Sequence, residues 1–189
     1  MIRAPEVITT DSLVLRRPAL ADAAEVYAYA HDPEVTRYLV WPTHTAMRES
    51  IAFIEACGPR WESGEEYCWV STIAPEDHVI GAIGCRVREY TADFGYVLHR
   101  AYWGRGYATE AARAVVTWLT SLPGISRIWA TCDAENRASV RVLEKTGLSC
   151  EGRLRRSTIR PNLSSTPRDT LVFALVRDDA QRALPGRAC

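Results

Sequence analysis

The stretch Tyr102–Ala112, reading YWGRGYATEAA, constrains this chain more than any other. Two glycines, Gly104 and Gly106, flank Arg105, and a run of helix formers follows. Just before it, Phe94–Leu98 has the aromatic and apolar content of a strand. Strand, glycine turn and helix start together build an anion pocket. The first N–H groups of a helix lack internal partners, and the helix dipole adds partial positive charge there. Glycines let the backbone approach a phosphate without a side chain in the way. The same pattern also serves as a plain strand-to-helix turn, with glycine needed only for its dihedral angles.

Two familiar phosphate motifs do not fit. A P-loop needs four residues between its glycines, then Lys and Ser or Thr; here one residue separates them and no such Lys follows. A dinucleotide fingerprint needs a third glycine, but Tyr107, Ala108 and Thr109 follow Gly106. A pyrophosphate held by main chain alone, in another fold, fits better.

Net charge is zero, so no global field draws the chain to nucleic acid or to a membrane. No apolar run approaches the ~20 residues that span a bilayer, and no charged-then-apolar leader opens the sequence. Six cysteines are scattered without a C-x-x-C pair, which argues against a zinc site and a disulfide scaffold. A reducing cytoplasm is the expected location, and a homodimer a reasonable assembly. At 189 residues the chain suits one domain with a sizeable core.

Hydrophobic patterning predicts strands at Leu13–Arg16, Tyr67–Ile73, Val79–Arg88, Asp93–Leu98, Arg127–Cys132, Leu148–Ser157 and Thr170–Val176. Helices are predicted at Leu20–His31, ended by Pro33, and at Thr45–Arg60, Gly106–Ser121 and Asn136–Thr146. A polar turn covers Ala74–His78, and a polar loop, a candidate lid, covers Pro161–Pro167. A strand meander followed by βα units implies an α/β domain of the α+β type, a mixed sheet with helices on both faces.

The segment WGRGYATEA (Trp103–Ala111), followed one strand later by ENRASVRVLEKTGL (Glu135–Leu148), resembles the GNAT superfamily of acyl-CoA-dependent N-acetyltransferases. More narrowly it resembles the branch that includes the ribosomal-protein N-terminal (alanine) acetyltransferases. The opening LVLRRPALADAAEVYAYAHDPEV (Leu13–Val35) and the closing RDTLVFALVRDD (Arg168–Asp179) match that branch as well. The resemblance implies one domain over residues 1–179, with residues 180–189 a poorly ordered tail. It also implies a central sheet that splays near its middle, and acetyl-CoA lying in the split beside Asp93–Leu98. No metal is implied.

On this resemblance the pyrophosphate motif falls on Trp103, Gly104, Arg105, Gly106, Tyr107 and Ala108, with Thr109 next in the same turn. Trp103 stands where the family carries Gln or Arg. Main-chain binding tolerates that change, and Arg105 is the candidate replacement cation. Val97 and Leu98 correspond to residues that pair main-chain groups with the pantetheine arm, as an added strand would. His99 borders the site. Asn136 is an N-cap by position; the resemblance adds a contact to the coenzyme, and it places Ser139 near the coenzyme sulfur.

The implied reaction is direct attack of a primary amine on the thioester. An alkyl ammonium loses its proton near pH ~10, so a base or a water chain must take it. Asp93 is the first candidate base, where related sequences often carry Glu, and Glu151 is the second. Ser139, Tyr96 or Tyr107 is a candidate donor to the leaving thiolate, although packing also explains the tyrosines. Strand N–H groups near Val97–Leu98 can hold the oxyanion. The acceptor, a small-molecule amine or a protein N-terminus, is not specified. Glu49, Glu55, Glu62, Glu65 and Glu66 form an acidic region that suits a cation or a solvated helix face. Trp41, Trp61 and Trp69 are candidates for either an acceptor cleft or the core. An acyl-CoA-binding regulatory module without turnover is the alternative function.

Overall fold

A computed structural model describes residues 2–73 and 77–177. The Ala74–His78 turn and the tail beyond Arg177 therefore fall partly or wholly outside the described residues. The described residues form eight strands: β1 (Val7–Thr9), β2 (Leu13–Arg16), β3 (Tyr67–Ile73), β4 (His78–Arg88), β5 (Thr91–Leu98), β6 (Arg127–Asp133), β7 (Ser149–Arg160) and β8 (Ser164–Val176). Five α-helices join them: α1 (Ala23–Ala30), α2 (Pro33–Thr36), α3 (Met47–Ser63), α4 (Tyr107–Ser121) and α5 (Arg137–Lys145). One sheet runs in the order β1-β2-β3-β4-β5-β6-β8-β7. Every neighbouring pair is antiparallel except β5 and β6.

Alternation along the strands builds a core on each face. One core combines Leu15, Trp69, Ile83, Phe94 and Ala130 of the sheet with Val115 and Leu119 of α4 and Leu143 of α5. The other combines Val70 and Val79 with Val26 and Tyr29 of α1 and Ile54 of α3. Trp69 is fully buried and Trp61 nearly so, in edge contact with each other at 5.1 Å. These two tryptophans hold the core together rather than line a cleft. Trp41 is half-buried beside the second core.

Three local readings differ from the pattern-based expectation. Pro33 does not simply end a helix. It occupies the first turn of α2, where its fixed φ and missing N–H cost nothing, and the Asp32 side chain caps that turn by accepting from the Glu34 N–H. β1 is a three-residue edge strand, too short to show a period. Pro161–Pro167 is not a loop: β7 and β8 continue as a hairpin, Arg160 pairs with Ser164, and only residues 161–163 turn. Ser164, Ser165 and Thr166 read as loop by composition. In a projecting hairpin, cross-strand main-chain pairing holds them without an apolar face.

The sheet splits at one place. β5 and β6 pair only through Thr91, Ala92 and Asp93 against Arg127, Ile128 and Trp129. Beyond that point β5 continues against β4 and β6 against β8, so the strands part and leave a gap. At the far end of β5 the backbones press close. A Cβ on Gly81 would sit 2.3 Å from the Val97 carbonyl oxygen, so only glycine fits there.

The candidate active site

The gap opens onto the first turn of α4. Gly104 and Gly106 both have positive φ, 77° and 90°. A Cβ at either would meet nothing within 4 Å, so the glycines are required by conformation rather than by crowding. The first intrahelical bond of α4 runs from the Glu110 N–H to the Gly106 carbonyl. The N–H groups of Gly104, Arg105, Gly106, Tyr107, Ala108 and Thr109 have no hydrogen-bond partner among the described residues. Six free donors in sequence, with a helix dipole behind them, form an anion site. Glu110 fastens this turn to the sheet: its Oε1 accepts from the Thr10 hydroxyl at 2.6 Å and from the Ser12 N–H at 2.7 Å. Arg105 is exposed, with its guanidinium 5.6 Å over the Tyr102 ring.

Trp103 plays a different part from the Gln or Arg expected there. Its Nε1–H donates to the Leu98 carbonyl at 2.8 Å, tying the turn to the end of β5. His99 likewise turns inward, with Nδ1 accepting from the Ala101 N–H at 3.1 Å and capping the short turn that follows. It also borders a depression of about 490 Å³ with His31, Asp32 and Arg100.

The ladder decides which strand groups face the gap. The His99 N–H bonds the Ile80 carbonyl at 2.7 Å, and the register from Gly81↔Leu98 to Arg88↔Thr91 is unbroken. Bonded and non-bonded pairs alternate in an antiparallel ladder. Val97 therefore turns its main chain to β4, whereas Tyr96 and Leu98 turn theirs to the gap. Of the expected Val97–Leu98 pair, Leu98 presents its main chain to the gap, with Tyr96 two residues before it, while Val97 is committed to the ladder. Its side chain packs against the α1 and α3 cores.

Across the gap, α5 meets β5. The Tyr96 Oη lies 2.8 Å from the Ser139 Oγ. Burial pushes the Tyr96 phenol well above its ordinary value, so it stays protonated. Asn136 caps α5, its Oδ1 accepting from the Ser139 N–H at 3.1 Å. The Cys132 thiol adjoins Ser139; burial, the largest influence, raises its pKa to about 11. A thiol protonated at neutral pH is a poor nucleophile.

Neither expected carboxylate is free. Asp93 lies at the last β5–β6 pair, where the split begins. It accepts from the Arg86 Nε and Nη2 at 3.0 and 2.5 Å, and the Asp93 hydrogen bond raises the Arg86 pKa. Glu151 is bound to Arg127, which lowers its pKa. Arg127 starts β6, about 20 Å of strand before Asp133. Glu151 is therefore committed to the start of β6 through Arg127.

The far wall carries residues that the sequence did not single out. Asn162, in the β7–β8 turn, accepts from the Thr43 N–H (2.8 Å) and hydroxyl (3.0 Å) and donates to the Thr36 (2.7 Å) and Trp41 (2.9 Å) carbonyls. That clamps the α2–α3 segment over the end of the sheet. Beneath it, Asp133 accepts from Arg168 at 2.7 and 3.1 Å. Glu49 is spent on the α3 N-terminus, accepting from the Thr45 and Ala46 N–H groups. The only advance signal for Asn162 was its place between Pro161 and Leu163, a turn composition.

A mixed sheet opened beside an anion-binding helix start defines an acyl-CoA-dependent acetyltransferase, and the comparisons agree. Residues 12–149 match the family model for the acetyltransferase (GNAT) domain, and the chain belongs to that family. It is 30% identical over 174 residues to the uncharacterised N-acetyltransferase YoaA of Bacillus subtilis, covering 90% of this chain and 97% of that protein. A GNAT-family acetyltransferase from Bacillus anthracis superposes with a TM-score of 0.79 at 25% identity, over 91% of this chain and 99% of its own. The fold is shared with the microcin C7 self-immunity acetyltransferase MccE, solved with acetyl-CoA and AMP. There the TM-score is 0.80 at 22% identity, over 92% of this chain and 97% of that one. Among the described residues no group of three or more His, Cys, Asp or Glu is placed to hold a metal ion, and no helix is long and apolar enough to cross a membrane.

Proposed function

We propose that the protein moves an acetyl group from acetyl-CoA to a primary amine by direct attack within a ternary complex. The observation that carries this reading is the run of six unpartnered N–H groups, Gly104–Thr109, beside a strand edge with free main-chain groups. The first suits a diphosphate. The second suits the amide-bearing arm that joins a diphosphate to a thioester. Leu98 supplies an N–H toward the gap where the thioester oxygen becomes negative, a contribution of about 3 kcal/mol when such a donor is preorganised.

The departing thiolate, with a parent pKa near ~8.5, needs only modest help. Ser139 donates to it, and Tyr96, protonated and 2.8 Å away, resupplies Ser139. The raised thiol pKa of Cys132 disfavours a covalent acyl-cysteine route. Asp93 is the proposed proton acceptor, through intervening water, because it is the carboxylate on β5 where the split begins.

Thiol release from acetyl-CoA across a panel of amines tests transfer. Amine-dependent release is expected, and binding without release with every amine would leave a non-catalytic module. For the base, Asp93→Asn is expected to lower kcat at neutral pH by about 100-fold. Unchanged turnover across pH takes Asp93 out of the role.

A further inference from the structure

Arg160 is the one group in this region whose surroundings the proposed transfer chemistry does not explain. Its side chain ends the β7 strand and is only 5% exposed. Nε and Nη2 are buried and have no hydrogen-bond partner among the described residues. A buried guanidinium without acceptors is costly, and native structures rarely keep one without a use. Its nearest acid, Asp133, lies 3.9 Å away, beyond hydrogen-bonding distance. Asp133 is already committed, accepting from Arg168 through both oxygens and from the Glu135 N–H at 3.0 Å. Two guanidinium groups therefore share one buried carboxylate, and one of them keeps its donors unused.

The location gives those donors a purpose. Arg160 sits at the open end of the split, beside the last residue of β6. It is close enough to the Cys132 thiol to offset part of the effect of burial there. Cys132 in turn adjoins Ser139. Two residues beyond Arg160, Asn162 clamps the Thr36–Thr43 segment across the same end. The unused donors of Arg160 thus lie at the same end of the sheet as Cys132, Ser139 and Asn162.

We propose that Arg160 binds an anionic oxyacid group, carboxylate or phosphate, on a small amine acceptor, and so selects which amines are acetylated. This rests on the acetyl-transfer reading above. A guanidinium fork matches such a group through two parallel N–H donors. The Thr36–Thr43 segment clamped by Asn162 across this end favours a small molecule over a long polymer.

Initial rates with the wild-type protein and two matched pairs of amines decide it: 4-aminobutyrate against butylamine, and O-phosphoethanolamine against ethanolamine. The charged member of at least one pair is expected to show a KM lower by about tenfold or more, with kcat similar. Which pair separates tells carboxylate from phosphate. Arg160→Met is expected to erase that separation by raising the KM of the charged member alone, and Arg160→Lys to restore part of it. Acetyl-CoA affinity, measured by calorimetry, stays unchanged in both variants and reports their folding. If Arg160→Met does not fold, the wild-type pairs still decide. Release with equal KM within both pairs, or a loss in Arg160→Met that strikes both members alike, overturns the proposal alone. No release with any amine overturns the transfer reading and this proposal with it.

Discussion

On the α4 side of the gap the unpartnered groups are main-chain N–H groups, Gly104 to Thr109. On the β7–β8 side the structure is made by side chains: Arg160 with its unused donors, Asn162 clamping Thr36–Thr43, and the Asp133–Arg168 pair. The first wall depends on two glycine conformations and tolerates nearly any neighbouring side chain, as Trp103 in place of Gln or Arg illustrates. The second depends on identity at each position, because removing one side chain leaves its partners unpaired. A main-chain wall suits a ligand common to many enzymes. A side-chain wall suits one that differs between them.

Gly106→Val strikes the first wall hardest. A β-branched residue resists a φ of 90°, so the turn must rearrange and its donors disperse. Acetyl-CoA affinity by calorimetry is expected to fall about 100-fold, a loss of about 2.7 kcal/mol. An unchanged affinity would break the contrast, because it would mean that conformation does not set this wall.

Asn162→Ala strikes the second wall. Four hydrogen bonds disappear, and the Thr36 and Trp41 carbonyls lose their donor. At about 1 kcal/mol net per bond, partly recovered by water, stability is expected to fall by about 2 kcal/mol in urea titration. The acceptor KM is expected to rise about tenfold, while acetyl-CoA affinity stays level. Equal effects on both ligands would show that the two walls are not independent.

The smallest effect concerns His44, whose Nδ1 lies 2.8 Å from the Ser50 hydroxyl in the clamped segment. Burial lowers its pKa, against an opposing pull from Glu49. The folded value then lies below the unfolded one, so the native state binds this proton less readily. Its stability contribution is complete above pH ~6.5 and declines as pH falls through that value toward the folded pKa. Between pH 7.5 and 5.5 the wild type is expected to lose slightly more urea resistance than His44→Gln. An identical change in the two proteins would place the imidazole in water.

The same contrast explains what the sequence disclosed. Gly104 and Gly106 were legible because a positive φ before a helix leaves a residue-type mark. Asn136 was legible because capping does too. Strand and helix periods located β3–β6, α4 and α5 closely, since burial on alternating or helical positions repeats along the chain. Arg160 left no such mark. Its isolation arises where β7, β8 and β6 converge, and no local window contains Asp133 and Arg160 together. The direction of the Val97 main chain was hidden for a related reason: which neighbour a main chain faces depends on ladder phase, set here by the His99–Ile80 bond. Asp93 and Glu151 looked alike in sequence, yet one stands on β5 where the split begins and the other on β7, bound to Arg127.

The narrow seam between β5 and β6 has a mechanical consequence. Among the described residues, three on each side form the strand pairing that joins the halves of the sheet. An amide-bearing cosubstrate laid along the open margin of β5, as proposed, would replace the missing rungs and so add rigidity as well as a reactant. Amide hydrogens along the parted stretch of β5 should exchange with deuterium much more slowly once acetyl-CoA is added, and those deep in the β3–β4 ladder should scarcely change.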